Sequence, residues 1–141
     1  MHIVIDSNIL FSALIKDSIT RKLILEYDGL FLFPSFIFEE AKKHKGELLI
    51  KSGMNEQEFN ELLDIILRKV ILVPSETLYL YYKEALEIAK KIDIDDTTFF
   101  ACALAYPGSI IWSNDRNLKN QTKVQILNTS EIKRFYRKSG V

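Results

Sequence analysis

One cysteine and two histidines are all the thiol and imidazole ligands that the 141-residue chain contains. The lone Cys102 excludes an intramolecular disulfide scaffold, and the set is too small for a structural zinc site within one chain. Net charge is missing too: 19 basic residues meet 19 acidic ones, so the overall balance neither supports nor forbids a nucleic-acid partner, and only local patches can decide. No apolar run reaches the length of a membrane span, and the start lacks a basic segment with a following signal core. The cytoplasm is therefore the expected location, with no membrane partner. With few prolines and glycines there is no low-complexity stretch, no internal repeat and no composition break. Nearly half of the residues are hydrophobic and aromatics are plentiful, so a single domain spanning residues 1–141 with a real core is expected.

What is there begins with Met1 to Leu10, MHIVIDSNIL. His2-Ile3-Val4-Ile5 is too short for a helix and reads as a central parallel strand covered on both faces. Asp6 ends it, and Ser7 or Asn8 can cap the helix that Ile9, Leu10, Ala13 and Leu14 carry to Ile15. Thr20 to Tyr27 reads as a second helix, Leu30 to Phe33 as a strand closed by Pro34, and Phe36 to His44 as a helix that Ser35 can cap. Within it Ile37, Glu40 and Ala41 share a face, which turns Glu40 toward the sheet and leaves Glu39 to solvent. Lys45 to Gly53 gives one or two helical turns. Asn55 then opens the clearest amphipathic helix, striped by Phe59, Leu62, Leu63, Ile66 and Leu67. This helix pair looks inserted, suited to a lid or a partner surface.

Val70 to Val73 is the third strand, and Ser75 precedes a long helix with Leu78, Tyr82, Ala85 and Ala89 on one stripe. Ile92 to Thr97 is the densest acid cluster and opens the helix Phe99 to Ala105, apolar nearly all round as a buried helix must be. Ser109 to Trp112 is the fourth strand, with Ser113-Asn114-Asp115 at its carboxyl end. Arg116 to Asn120 is a helical turn, Lys123 to Leu127 a fifth strand, and Ser130 to Lys138 a basic terminal helix.

Strands and helices alternate throughout, which predicts an α/β fold: a three-layer α/β/α sandwich on a mostly parallel five-stranded sheet. Right-handed crossovers gather the carboxyl ends of the strands on one rim, where open α/β sheets bind ligands. Asp6 and Asp115 fall at that rim, and Glu40 and Asp96, early in helices that start there, can lean into it. Singly, such an acid reads as a helix cap. Together, four of them repel and call for a cation. Mg²⁺ or Mn²⁺ is the natural choice, because hard cations take oxygen ligands. Held by aspartates, such a metal can activate water and neutralise charge growing on a phosphate. Phosphodiester cleavage is the reaction class that matches an all-acid site without histidine or cysteine.

Four blocks, IVIDSNIL, PSFIFEEAKKH, IDIDDTTFFACALA and IIWSNDRNLK, resemble in that order the successive acidic motifs of PIN-domain ribonucleases. A single block is weak; four in order, over almost the whole chain, are specific. The resemblance implies strand order 3-2-1-4-5, metal-dependent cleavage of single-stranded RNA, and products with 5′-phosphate and 3′-hydroxyl ends. Matched residue by residue, it implies Asp6, Glu40, Asp96 and Asp115 as the catalytic acids. Asp6, Asp96 and Asp115 would hold Mg²⁺ or Mn²⁺, and Glu40 would be a further ligand or would orient the attacking water. Ser113 and Asn8 would support the carboxylates by hydrogen bonds. Glu39 competes with Glu40, and Asp93 and Asp95 compete with Asp96, Asp95 being well placed as an N-cap. Where some members carry another acid after the fourth, this chain has Asn117 and Leu118, which implies at least one metal ion, with a second only when substrate is present. Small members often act as the toxin of a toxin–antitoxin pair and dimerise through early helices. A small antitoxin and a homodimer are therefore the implied protein partners, with the Asn55 to Arg68 helix and the Ile9 to Tyr27 segment as surfaces.

Lys16, Lys42, Lys43, His44, Arg116 and Lys119 can border the rim and meet phosphates, beside the plainer reading that helix lysines are solvated. Tyr79, Tyr81 and Tyr82 offer either base stacking or core; Trp112 and Cys102 read as core. The alternative function is a non-catalytic PIN-like nucleic-acid-binding or scaffold module, which the loss of an acid would favour. A phosphate-accepting receiver expects an acid ending the third strand, where Val73-Pro74 stands. A haloacid-dehalogenase-type phosphatase needs a second aspartate where Asn8 stands.

Overall fold

Ile3, Val4 and Ile5 are wholly buried and form β1 (Ile3–Ile5), the middle of the sheet. In the computed structural model, which describes residues 1–15 and 19–138, β2 (Phe31–Pro34) and β3 (Val70–Val73) lie to one side. β4 (Ile110–Trp112) and β5 (Ile126–Leu127) lie to the other, and all neighbours pair in parallel in the order 3-2-1-4-5. The chain builds outward from β1 through β2 to β3, then crosses back to β4. The topological switch point therefore falls between β1 and β4, where ligand crevices form in open α/β sheets.

Nine helices among the described residues complete a three-layer sandwich. α8 (Thr97–Ala105) packs on β1, β2 and β4 and is itself covered by α6 (Ser75–Tyr79) and α7 (Tyr82–Ala89). Its apolar circumference follows from that double cover: Phe99 to Ala103 are all buried. α1 (Ser7–Ile15) packs against α2 (Ile19–Glu26), α4 (Lys45–Ser52) and α5 (Glu56–Leu67), while α3 (Ser35–Lys42) follows β2. α9 (Thr129–Lys138) lies against β5, with Tyr136 stacked on Tyr27 and its hydroxyl donating to the Leu23 carbonyl at 2.8 Å.

Local chemistry sets several boundaries. Asn55 and Glu58 form the reciprocal cap that opens α5, and Gly53, at φ +71°, closes α4 in the left-handed conformation that disfavours a side chain. Ser35 is not a cap but the first residue of α3 after Pro34. The long helix expected after Ser75 is broken at Leu80-Tyr81, which lets both halves follow α8; Tyr79 and Tyr82 are consequently exposed and lie outside the core. β5 is shorter than Lys123 to Leu127, because the Gln121 side chain accepts from the amides of Lys123 and Val124 and donates to the carbonyls of Leu118 and Val124. The helix pair α4 and α5 is no detached lid. Phe59 and Ile66 are buried, and Leu62, Leu63 and Leu67 pack on the core beside α1 and β3. No helix among the described residues is long and apolar enough to cross a membrane.

Candidate active site

Parallel pairing of β1 and β4 sets Ile5 opposite Trp112, so the next residue of each strand, Asp6 and Ser113, leaves the sheet side by side at the carboxyl rim. The Ser113 hydroxyl donates to Asp6 Oδ2 at 2.5 Å and accepts from the Asp115 amide at 3.1 Å. Asp6 Oδ1 accepts from the Ile9 amide at 2.9 Å. Asp6, rather than Ser7 or Asn8, is thus the residue that caps α1, and the cap and site readings of this acid coincide. Asp6 is only 8% exposed. Burial pushes its carboxyl above the usual aspartate value. The Ser113 and Ile9 bonds pull it back, and the neighbouring Asp115 pushes it up again.

Asp96 arrives from another part of the chain. A 3₁₀ turn, Ile94–Asp96, precedes α8, and its cap is Asp93, which accepts from the Asp95 amide at 2.9 Å. Asp95 is therefore not the cap and is exposed. Asp96 accepts no hydrogen bond from a described residue, and its carboxyl is pushed up to about 6: by burial first, then by Asp93, Asp115, Asp6 and Asp95. Asp115, an exposed residue, turns one oxygen to the Asn117 amide at 3.0 Å. Asp6, Asp96 and Asp115 thus lie within electrostatic reach of one another, and none of them forms an ion pair with a described residue. A cleft of about 260 Å³ lies over the switch point, lined by Asp6, Asn8, Ile9, Ser12, Asn114 and Asp115.

Glu40 is placed differently. Its side chain is 65% exposed and pairs with Lys43 at 3.0 Å, so the expected turn toward the sheet is not seen. Phe38 is the residue that α3 buries. Glu39 pairs in the same way with Lys42. Asn8 is exposed and lines the cleft, but its backbone amide, not its side chain, supports Asp6. Lys119 is committed to an ion pair with Glu131, Arg116 is exposed beside Asp115, and Lys16 lies outside the described residues. Trp112 is wholly buried, and burial pushes the Cys102 thiol up to about 12, which makes it inert. A cleft residue without an assigned part in the sequence is Asn114, whose side-chain oxygen accepts from both the amide and the hydroxyl of Thr129. Its only sequence signal is its place between Ser113 and Asp115.

Among the described residues no three histidine, cysteine, aspartate or glutamate side chains close into a metal shell as they stand. The donor chemistry nevertheless fits a hydrated divalent cation. All the donors are oxygens, and Asp96 accepts no hydrogen bond from a described residue; its raised proton affinity comes from burial first and from neighbouring carboxylates second. Mg²⁺ retains several waters and needs only one or two direct carboxylates, so a closed cage is not required.

A parallel sheet in the order 3-2-1-4-5 with convergent aspartates at its switch point defines an α/β protein with an acidic crevice, a class suited to divalent cations and phosphates. The family model for the PIN domain matches residues 4–135, and the chain belongs to that family. PIN domains are generally nucleases and usually use divalent metal ions. No curated protein and no solved structure matches the chain.

Proposed function

We propose that the chain is an Mg²⁺- or Mn²⁺-dependent endoribonuclease that cleaves single-stranded RNA by attack of water on a phosphodiester bond. What supports this reading is the electrostatic proximity of Asp6, Asp96 and Asp115, which adds to burial and to Asp93 in raising the Asp96 carboxyl, beside a cleft that Asp6 and Asp115 line. When bound, a divalent cation supplies Lewis acidity and compensates the charge growing on the phosphate. The residues do the rest. Asp6 is oriented by Ser113 and the Ile9 amide, Asp115 is anchored through its own amide to the same serine, and Asp96 stands uncommitted as the most adaptable ligand. Glu40 orients the water, leaving a pair with Lys43 that is exposed and therefore worth only about 0.3–0.5 kcal/mol.

Toxin activity under a small antitoxin, and homodimerisation, belong to the same proposal. They are supported by family resemblance and by an apolar cleft between α1, α3, α4 and α5, lined by Leu10, Phe11, Leu14, Phe38, Phe59 and Leu63 among others. The deciding experiment incubates purified protein with single-stranded RNA, with and without Mn²⁺ or Mg²⁺, beside Asp6→Asn. Metal-dependent cleavage by the parent chain and none by the variant is expected. Equal cleavage by both would refute the assignment, and binding of RNA without any cleavage would favour a non-catalytic module.

A further inference from the structure

Beside the acid cleft the rim opens a second one, between the ends of β4 and β5. It measures about 440 Å³ and is walled by the loop after β4 and by Asn128 to Ser130 at the start of α9. Such a volume falls in the range of about 300–1,000 Å³ that ligand sites occupy. The two clefts share Asn114 and Asp115, so one loop is their common wall. Their chemistry differs. To the shared Asp115 the acid cleft adds Asp6, whereas the second adds the exposed guanidinium of Arg116, which makes no ion pair with a described residue. Lys119, the other cation there, is neutralised by Glu131.

The Asn114 amide adds a directed donor. The Thr129 backbone N–H can only donate, so the Asn114 oxygen must face α9, at 2.9 Å. Its NH₂ group, on the opposite branch, donates to no described residue. The wall is also firm: buried Trp112 donates through Nε1 to the Thr129 hydroxyl at 3.1 Å, and that hydroxyl donates on to Asn114. None of the residues that line this cleft is aromatic, so a base has nothing to stack on. A phosphate, in contrast, meets a guanidinium, an amide and the exposed Ser130 hydroxyl.

We infer that this second cleft seats the phosphate next to the scissile one in a single-stranded RNA, with Arg116 as its principal anchor and Asn114 and Ser130 as supporting donors. The inference rests on the ribonuclease reading of the neighbouring cleft, because Asp115 in the shared wall would repel a free anion, whereas an RNA strand is held from both sides.

The test measures binding, in Mg²⁺ buffer, of a fluorescein-labelled single-stranded RNA oligonucleotide to the cleavage-impaired Asp6→Asn chain and to that chain carrying one further change. Arg116→Ala is expected to weaken binding about tenfold and to flatten the slope of log K against log salt by about 0.7, the value of one single-strand phosphate contact. Arg116→Lys should restore the slope but only part of the affinity, since an ammonium cannot make the bidentate contact. Arg137→Ala, an equal change of charge at the other end of α9, should alter neither quantity. Equal effects of Arg116→Ala and Arg137→Ala, or no binding of the oligonucleotide by any form, would overturn the inference. Cleavage by the parent chain is read separately. RNA that is bound through Arg116 but never cut refutes the nuclease reading alone, and RNA that is cut without dependence on Arg116 refutes the subsite alone.

Discussion

Two acid-bearing surfaces of this protein follow opposite rules. On α3 and α4 and the start of α5, every ion-paired acid has a basic neighbour of its own: Glu39 with Lys42, Glu40 with Lys43, Glu47 with His44, Glu56 with Lys45. At the switch point Asp6, Asp96 and Asp115 lie within electrostatic reach of one another and form no ion pair with a described residue; burial first, and then the neighbouring carboxylates, raise the proton affinity of Asp96. The first arrangement neutralises charge locally along a helix and asks nothing from outside. The second is tied by Ser113 and backbone amides and has no such ion pairs among the described residues. The two surfaces differ in ion pairing among the described residues, and acid content alone does not distinguish them.

The largest effects test the cleft itself. Asp96→Asn should bring Mn²⁺-dependent cleavage of single-stranded RNA to background, as Asp6→Asn does, while the circular dichroism spectrum stays that of the folded parent. Retained cleavage would erase the distinction between the two surfaces. Glu40→Gln tests which surface Glu40 serves. As the group that orients the water it should lower kcat by about 100-fold, with Mn²⁺ affinity, read by calorimetry, changed less than about threefold. An equal loss of affinity would make Glu40 a metal ligand instead.

Ser113→Ala removes the hydroxyl that joins Asp6 to the Asp115 backbone and should weaken Mn²⁺ binding about tenfold, the lower end of what supporting hydrogen bonds to metal ligands contribute. Unchanged affinity would show that the Ile9 amide alone suffices to orient Asp6.

Stability without metal gives a smaller but sign-definite test. The folded Asp96 carboxyl, near 6 against an ordinary value of 3.8, holds its proton more tightly than the unfolded chain does. Its contribution to stability is present below about pH 3.8 and is lost as pH rises through 6. Asp96→Asn should therefore stabilise the metal-free protein by about 1 kcal/mol at pH 7, a figure discounted for a half-exposed group, and the gain should vanish near pH 4 in urea titrations. Added Mn²⁺ should stabilise the parent chain and much less the variant. Smallest of all, Glu39→Gln on the paired surface should shift the midpoint of unfolding by less than about 0.5 kcal/mol. A larger shift would mean that the α3–α4 pairs do more than solvate a helix.

The sheet was readable from short apolar runs because a strand buried on both faces carries little polar interruption; Ile3 to Ile5 show it directly, and the partly buried edge strand Val70 to Val73 keeps the same pattern. Helix caps were less readable. Several polar residues stand at each helix start, and hydrogen-bond geometry selects among them: Asp6 over Ser7 and Asn8, Asp93 over Asp95. The break at Leu80-Tyr81 left no trace in the apolar stripe, since the same spacing serves one helix or two. The local rotation of Glu40 toward Lys43 was likewise hidden, because helical periodicity gives the direction of a Cβ and not the end of a long side chain.

By itself the sequence determined the alternation of strands and helices, and with it a parallel sheet whose carboxyl ends share one rim and the presence of Asp6 and Asp115 there. Which acids actually confront one another was decided only in three dimensions, because the register of β1 against β4 sets Ser113 beside Asp6, and the turn before α8 swings Asp96 in from a part of the chain that spacing cannot locate. Electrostatic repulsion depends on distance through space, and distance through space is what folding supplies.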